Sequence, residues 1–228
     1  MKTAIVTGAS SGIGKAIATR LAEEKMNVVL AARSENKLQQ IAEDLTETTE
    51  ANILPIQTDI SNQTDVSAMV EQAKERFGTI DVYVNNAGAM LSGAVTEGAL
   101  EDWEQMIDVN IKGVLYGLHQ VIPEMVERGE GHIVNMASVS GFEVSKQSTV
   151  YSATKFAVRA ISTGLEKELA RTGVRITNIS PGMVDTSLNT RGNADRKPLD
   201  ASNIADSVAH AILQPAHVNI NEMTIRPV

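Results

Sequence analysis

The sequence predicts an α/β fold, a doubly wound sheet of seven mainly parallel strands with helices on both faces. Two observations predict it. Short β-branched or aliphatic runs alternate with longer amphipathic stretches along the chain, the rhythm of repeated βα units around a buried parallel sheet. The 228 residues are 43% hydrophobic and 21% charged, enough for one undivided core, so residues 1–228 are expected to form a single domain.

In chain order, strands are expected at 3–7, 28–32, 53–58, 82–85, 132–137, 174–180 and 223–225. The helical patterns between them run near 12–25, 35–48, 62–77, 100–127, 150–172 and 201–214. The first run, Thr3 to Thr7, enters a strand rather than a secretory leader, and Ala16, Ile17 and Leu21 give the first helix its apolar face. Right-handed crossovers would gather the strand C-termini along one edge, where open α/β sheets bind ligands. The polar, breaker-rich stretch 185–198 follows the sixth strand and is expected to be a lid over that edge, with Arg191, Arg196 and Lys197 making it locally basic.

Composition excludes several classes of function. A formal charge of −8 argues against a polyanion-binding surface, and no window approaches the ~20 apolar residues of a membrane-spanning helix. The expected location is cytoplasmic. With no cysteine and four scattered histidines (His119, His132, His210, His217), metal chemistry is not expected. Trp103 and Met106, three apart on a helix, read as packing residues.

Thr7-Gly8-Ala9-Ser10-Ser11-Gly12-Ile13-Gly14 stands between the first strand and the first helix. Gly8 permits a tight turn, Gly12 lets backbone approach a pyrophosphate, and Gly14 allows close helix packing, so phosphate oxygens meet free N–H groups at the positive end of a helix. Ser10 and Ser11 add hydroxyl donors. The spacing is wider than the usual G-x-G-x-x-G.

Tyr151 and Lys155 are four apart on a helix and point from one face into the same space. A nearby ammonium is expected to lower the phenol pKa from its usual ~10, fitting it for proton transfer at a carbonyl oxygen. Ser138, at the end of the fifth strand, can donate to the same oxygen. At the end of strand two, where an acidic residue would select NAD, the chain has Ala32 followed by Arg33 and Ser34; the guanidinium suits a 2′-phosphate, with a solvated loop cation as the alternative.

The pattern T-G-x-x-x-G-x-G resembles the short-chain dehydrogenase/reductase family, and further motifs match it in order across essentially the whole chain. They are Asn85-Asn86-Ala87-Gly88, Asn110, Ser138, Tyr151-Ser152-Ala153-Thr154-Lys155 and Pro181-Gly182. The resemblance implies a Rossmann fold and an NADP(H)-dependent oxidoreductase that interconverts a carbonyl and a secondary alcohol. It makes Tyr151 the acid/base, Lys155 its activator and a ribose ligand, Ser138 the substrate orienter and Asn110 a support for Lys155. The implied cofactor contacts add Gly8, Ser10, Ser11, Gly12, Ile13, Gly14, Arg33, Ser34, Asp59, Ile60, Asn86, Ala87, Gly88, Pro181, Gly182, Val184 and Thr186; NAD(H) stays possible. Substrates left open are a 3-hydroxy acid, a small carbonyl compound or a 3-oxoacyl thioester, and a non-catalytic dinucleotide-sensing or scaffold role is the alternative of another class. Related enzymes pair the helices near 100–127 and 150–172 into dimers and tetramers, so a homotetramer is expected.

Overall fold

A computed structural model describes residues 1–91, 93–186 and 197–228. Seven strands, β1 (Thr3–Thr7), β2 (Asn27–Ala32), β3 (Ile53–Gln57), β4 (Val82–Asn85), β5 (Gly131–Met136), β6 (Val174–Pro181) and β7 (Glu222–Ile225), form one sheet in the order β3-β2-β1-β4-β5-β6-β7. Every pairing is parallel, so the sheet is wholly rather than mainly parallel. The order reverses between β1 and β4, which opens a crevice at their carboxyl ends.

Alternation along the strands builds two cores. Ala4, Val6, Val28, Leu30, Val82, Val84 and Val134 face α1 (Gly12–Glu23), α2 (Glu35–Thr48) and α7 (Ala201–Ile212), through Ile17, Leu21, Leu38, Ile41, Ile204 and Val208. Ile5, Val29, Tyr83, Ile133 and Ile176 face α3 (Gln63–Phe77), α5 (Gly113–Arg128) and α6 (Thr149–Glu168), through Val66, Met69, Val114, Leu118 and Val158. Burial on both faces explains why the central strands are near-continuous apolar runs.

Differences from the expected boundaries have local causes. The first helix stops at Glu23 because Lys25 takes a left-handed φ of 58°. The third begins at Gln63, capped by Asn62, whose Oδ1 accepts from the N–H groups of Thr64 (2.9 Å) and Asp65 (3.3 Å). The helix expected over 100–127 is interrupted: α4 (Leu100–Ile107) runs into a π-helical turn, Asp108–Lys112, before α5 begins. Periodicity alone does not reveal such a one-residue widening.

Most of the stretch expected as a lid, residues 187–196 with Arg191 and Arg196, lies outside the described residues. Its flanks are joined: Val184 and Leu199 form a parallel bridge, and Asp185 N–H donates to Leu199 O at 2.8 Å. Among the described residues no helix is long and apolar enough to cross a membrane.

Candidate active site

The turn from β1 to α1 is shaped by what its glycines lack. Gly8 (φ 67°) and Gly12 (φ 53°) sit in the left-handed region. A Cβ on Gly8 would lie 2.9 Å from Ala87 Cα, and one on Gly14 would collide with the Gly8 carbonyl. Thr7 fastens this turn to the segment after β4, since its hydroxyl donates to Val84 O and accepts from the N–H groups of Asn86 and Ala87, each at 3.0 Å. The Asn86 side chain donates to Thr7 O at 2.8 Å. Thr186 crosses above, its Cγ2 3.2 Å from where a Gly12 Cβ would stand. The Ser11 side chain makes no cap bond to α1, so the first-turn N–H groups stay available to an anion.

The turn forms one end of a cleft of about 670 Å³ that receives every sequence-predicted cofactor residue. Arg33, Ser34, Asp59 and Ile60 close its β2–β3 end, joined by Lys37 from the first turn of α2. Asp59 accepts from Ser61 N–H (2.9 Å) and Ser61 Oγ (2.6 Å); these bonds, with a lesser contribution from the Arg33 charge, hold its carboxyl below the usual range. It is thus a turn-forming carboxylate as well as a wall of the cleft. Arg33 is exposed, its carbonyl anchored by Gln57 Nε2 at 3.0 Å.

At the other end Ser138, Tyr151 and Lys155 line the same space. Ser138 caps a 3-10 turn, Val139–Gly141, with its Oγ accepting from Ser140 N–H at 3.1 Å. Lys155, only 6% exposed, donates to Met136 O at 2.8 Å and lies 5.9 Å from the centre of the Tyr151 ring. Burial lowers the Lys155 pKa to about 8. Burial also raises the Tyr151 pKa, opposed by a hydrogen bond with Ser138. The expected lowering of the phenol by the ammonium is therefore not what the protein alone shows: Lys155 gives one N–H to the Met136 carbonyl, and at Tyr151 loss of solvent dominates.

Asn110 sits behind this group on the π-helical turn, 1% exposed. Its Oδ1 accepts from Ala89 N–H (2.8 Å), and its Nδ2 donates to Ala89 O (2.9 Å) and Thr154 Oγ1 (3.0 Å). Thr154 in turn donates to Tyr151 O at 2.7 Å. The expected support of Lys155 is thus indirect: the amide straps the segment after Gly88 to α6. Gly88 keeps the space between them open, since a Cβ there would stand 3.5 Å from Asn110 Oδ1 and 3.7 Å from Lys155 Nζ.

Sequence reasoning missed several residues that the fold delivers. Lys37 is a second cation beside Arg33, and Met90, Val109, Val139 and Met183 give the Tyr151 end apolar walls, with Gln105 at its rim. Lys37 had a signal in its position four after Arg33; the wall residues had none, because they come from four separate segments. Met106 is core, as expected, and Trp103 packs its indole against Gly98. His132 is buried, paired with Thr177 Oγ1 at 2.8 Å, and burial lowers its pKa to about 3.

A glycine cradle, exposed cations at one end and a Ser-Tyr-Lys group with its lysine buried at the other suit a bound dinucleotide, and comparison with known proteins agrees. Residues 2–197 match the short chain dehydrogenase family model. The chain is 53% identical over 230 residues to an uncharacterized oxidoreductase of Staphylococcus saprophyticus, covering 100% of this chain and 97% of that one. Among solved structures, it resembles the closed form of a serine dehydrogenase complexed with NADP+ (34% identity, 98% of this chain and 94% of that one, TM-score 0.91). It also resembles an alcohol dehydrogenase of the archaeon Thermococcus sibiricus complexed with 5-hydroxy-NADP (32% identity, 100% and 97%, TM-score 0.93). The chain belongs to the short-chain dehydrogenase family. It is an oxidoreductase acting on CH–OH groups with a nicotinamide dinucleotide cofactor.

Proposed function

We propose that residues 1–228 act as one catalytic domain, an NADP(H)-dependent enzyme interconverting a small carbonyl compound and its secondary alcohol. The observation that carries this reading is the convergence of Ser138, Tyr151 and Lys155 on the cleft that begins at the glycine turn. When bound, the nicotinamide supplies or accepts a hydride. Tyr151, a protonated phenol at neutral pH, donates its proton to the carbonyl oxygen in reduction and recovers it from the alcohol in oxidation. Ser138 donates a hydrogen bond to that oxygen and stabilises its developing charge. Lys155 holds a ribose hydroxyl and, once charged, favours the phenolate; Asn110 keeps the strap behind them closed.

Arg33 and Lys37 at the β2–β3 end support NADP(H) over NAD(H), because two cations attract a 2′-phosphate where an acidic residue would repel it. The apolar walls around Tyr151 support an uncharged substrate. The likeness to a serine dehydrogenase favours a second reading, a 3-hydroxy acid. Among the described residues Lys155 is the one cation at that end of the cleft, so a carboxylate would depend on residues beyond them, such as Arg191 or Arg196.

The test is NADPH oxidation and NADP+ reduction, read optically across ketones, 3-oxoacyl thioesters and 3-hydroxy acids with matched esters. Turnover of neutral ketones or esters supports the first reading, and turnover confined to acids, lost in Arg191→Ala or Arg196→Ala, supports the second. No turnover on any member would leave a dinucleotide-sensing protein. A cytoplasmic homotetramer completes the proposal. Leu115, Leu118, Ile122, Ile161 and Leu165 line an apolar groove between α5 and α6 that suits a self-complementary contact. Light scattering that finds a 24.4 kDa monomer at micromolar concentration would overturn the assembly.

A further inference from the structure

Tyr151, Lys155 and Arg159 follow one another at four-residue spacing along α6, and Arg159 has no role in the chemistry above. Its guanidinium nevertheless uses its whole fork. Nη1 donates to Gly141 O at 3.0 Å, while Nε and Nη2 grip the two carboxylate oxygens of Glu222 at 2.9 and 3.2 Å. The plane of the group stacks on Phe142, 3.4 Å from the ring centre. Gly141 and Phe142 are the end of the 3-10 turn that Ser138 begins. The packing leaves no slack, since a Cβ on Gly141 would stand 2.8 Å from Arg159 Cδ.

The remaining tethers of the turn reach only its beginning. Ala137 N–H donates to Ile179 O at 2.8 Å, one residue before Ser138, but the Ser138 hydroxyl itself reaches Pro181 O only at 3.5 Å. Glu222 is fixed in turn by Asn178 Nδ2 at 2.9 Å, and Arg226, just past the edge strand β7, holds Glu143, just past the turn, at 2.7 Å, so two ion pairs tie this region together, one of them by way of Arg159. An Arg–carboxylate fork defines distance and angle together, which a single tether does not.

We propose that Arg159, held by Glu222, is a positioning residue that sets Ser138 in register with Tyr151 by clamping the 3-10 turn to α6 and β7. It touches neither the cofactor cleft nor the reacting atoms; it acts through Ser138. The inference rests on the Ser-Tyr-Lys reading of the site, so its test has an arm that needs no turnover.

The experiment is a double-mutant cycle between Ser138→Ala and Arg159→Lys, a change that keeps the charge and loses the fork. Arg159→Lys is expected to lower kcat between about 10- and 100-fold, the scale of a small misplacement, with NADPH affinity unchanged. Added to Ser138→Ala it is expected to cost nothing more. In the protein alone, tyrosine labelled with 13C at Cζ only gives three ring signals, one per residue. That of Tyr151 is expected to shift with Arg159→Lys as it does with Ser138→Ala, and not to shift further in the double variant. Glu222→Gln serves as a second entry to the cycle should Arg159→Lys fold poorly by thermal melting. Additive losses, or a Tyr151 signal unmoved by both Arg159→Lys and Glu222→Gln, would overturn the proposal. Absence of turnover on every substrate, with the coupled shifts intact, would instead strike at the reading of function.

Discussion

The two ends of the cleft are built from different materials. At the glycine turn the binding surface is main chain: positive φ at Gly8 and Gly12, missing side chains, and N–H groups at the start of α1. At the Tyr151 end it is side chains on α6 and the β5 turn, with Lys155 held by Met136 O and Asn110, behind them, by Ala89 and Thr154. A surface made of backbone binds what many cofactors share, whereas one made of side chains can be tuned for one reaction. Cofactor binding and proton transfer are accordingly expected to be separable by mutation, except where one residue serves both.

Lys155 is that exception and gives the largest expected effect. Lys155→Met should lower turnover by at least about 10²-fold and weaken cofactor binding as well, because in the proposed function one ammonium serves the phenol and the ribose. Intact NADPH affinity by fluorescence titration would divide those roles. The same variant has a consequence for stability. Burial holds Lys155 at about 8 in the folded protein against an ordinary value of 10.5. Between those values the unfolded chain binds more protons, so the folded state gains stability as pH rises through that window, and the cost of the buried ammonium is felt in full below it. Lys155→Met should therefore melt higher than the parent at pH 7, with the difference shrinking toward pH 10. A gap that stays constant with pH would refute the assignment of a costly buried cation.

Arg33→Ala probes the other end. It should weaken NADPH by about 1.5–3 kcal/mol with little change for NADH, the scale of a charge-assisted contact. Equal losses for both cofactors would make Arg33 structural. A smaller effect, about 1–2 kcal/mol of stability, is expected for Asn110→Ala, which leaves the Ala89 backbone groups and the Thr154 hydroxyl short of a partner. Unchanged thermal unfolding would show that the strap carries no load.

What the sequence revealed follows the same division. The glycine turn was readable because its geometry is local: three glycines between a strand and a helix fix φ and packing wherever that pattern occurs. Tyr151 and Lys155 were readable because i, i+4 spacing on a helix places them together. The strand boundaries at 3–7 and 82–85 were also correct, since apolar runs bounded by polar turns define them. Other features depend on tertiary contact. The π-helical turn at Asp108–Lys112 lies inside an unbroken helical pattern, and the apolar walls at Met90, Val139 and Met183 meet only after folding. Arg159 and Glu222 stand 63 residues apart, so no local rule pairs them. The pKa direction at Tyr151 departs from the expected lowering for a related reason: spacing shows proximity but not the solvent lost on burial.

The most direct test of this separation is Tyr151→Phe, with NADPH affinity and carbonyl turnover measured on one preparation. Affinity is expected to stay within about twofold while turnover falls by at least about 10²-fold, because the phenol proton is lost and the backbone cradle is untouched. Near-normal turnover, or a loss of affinity matching the loss of turnover, would contradict it.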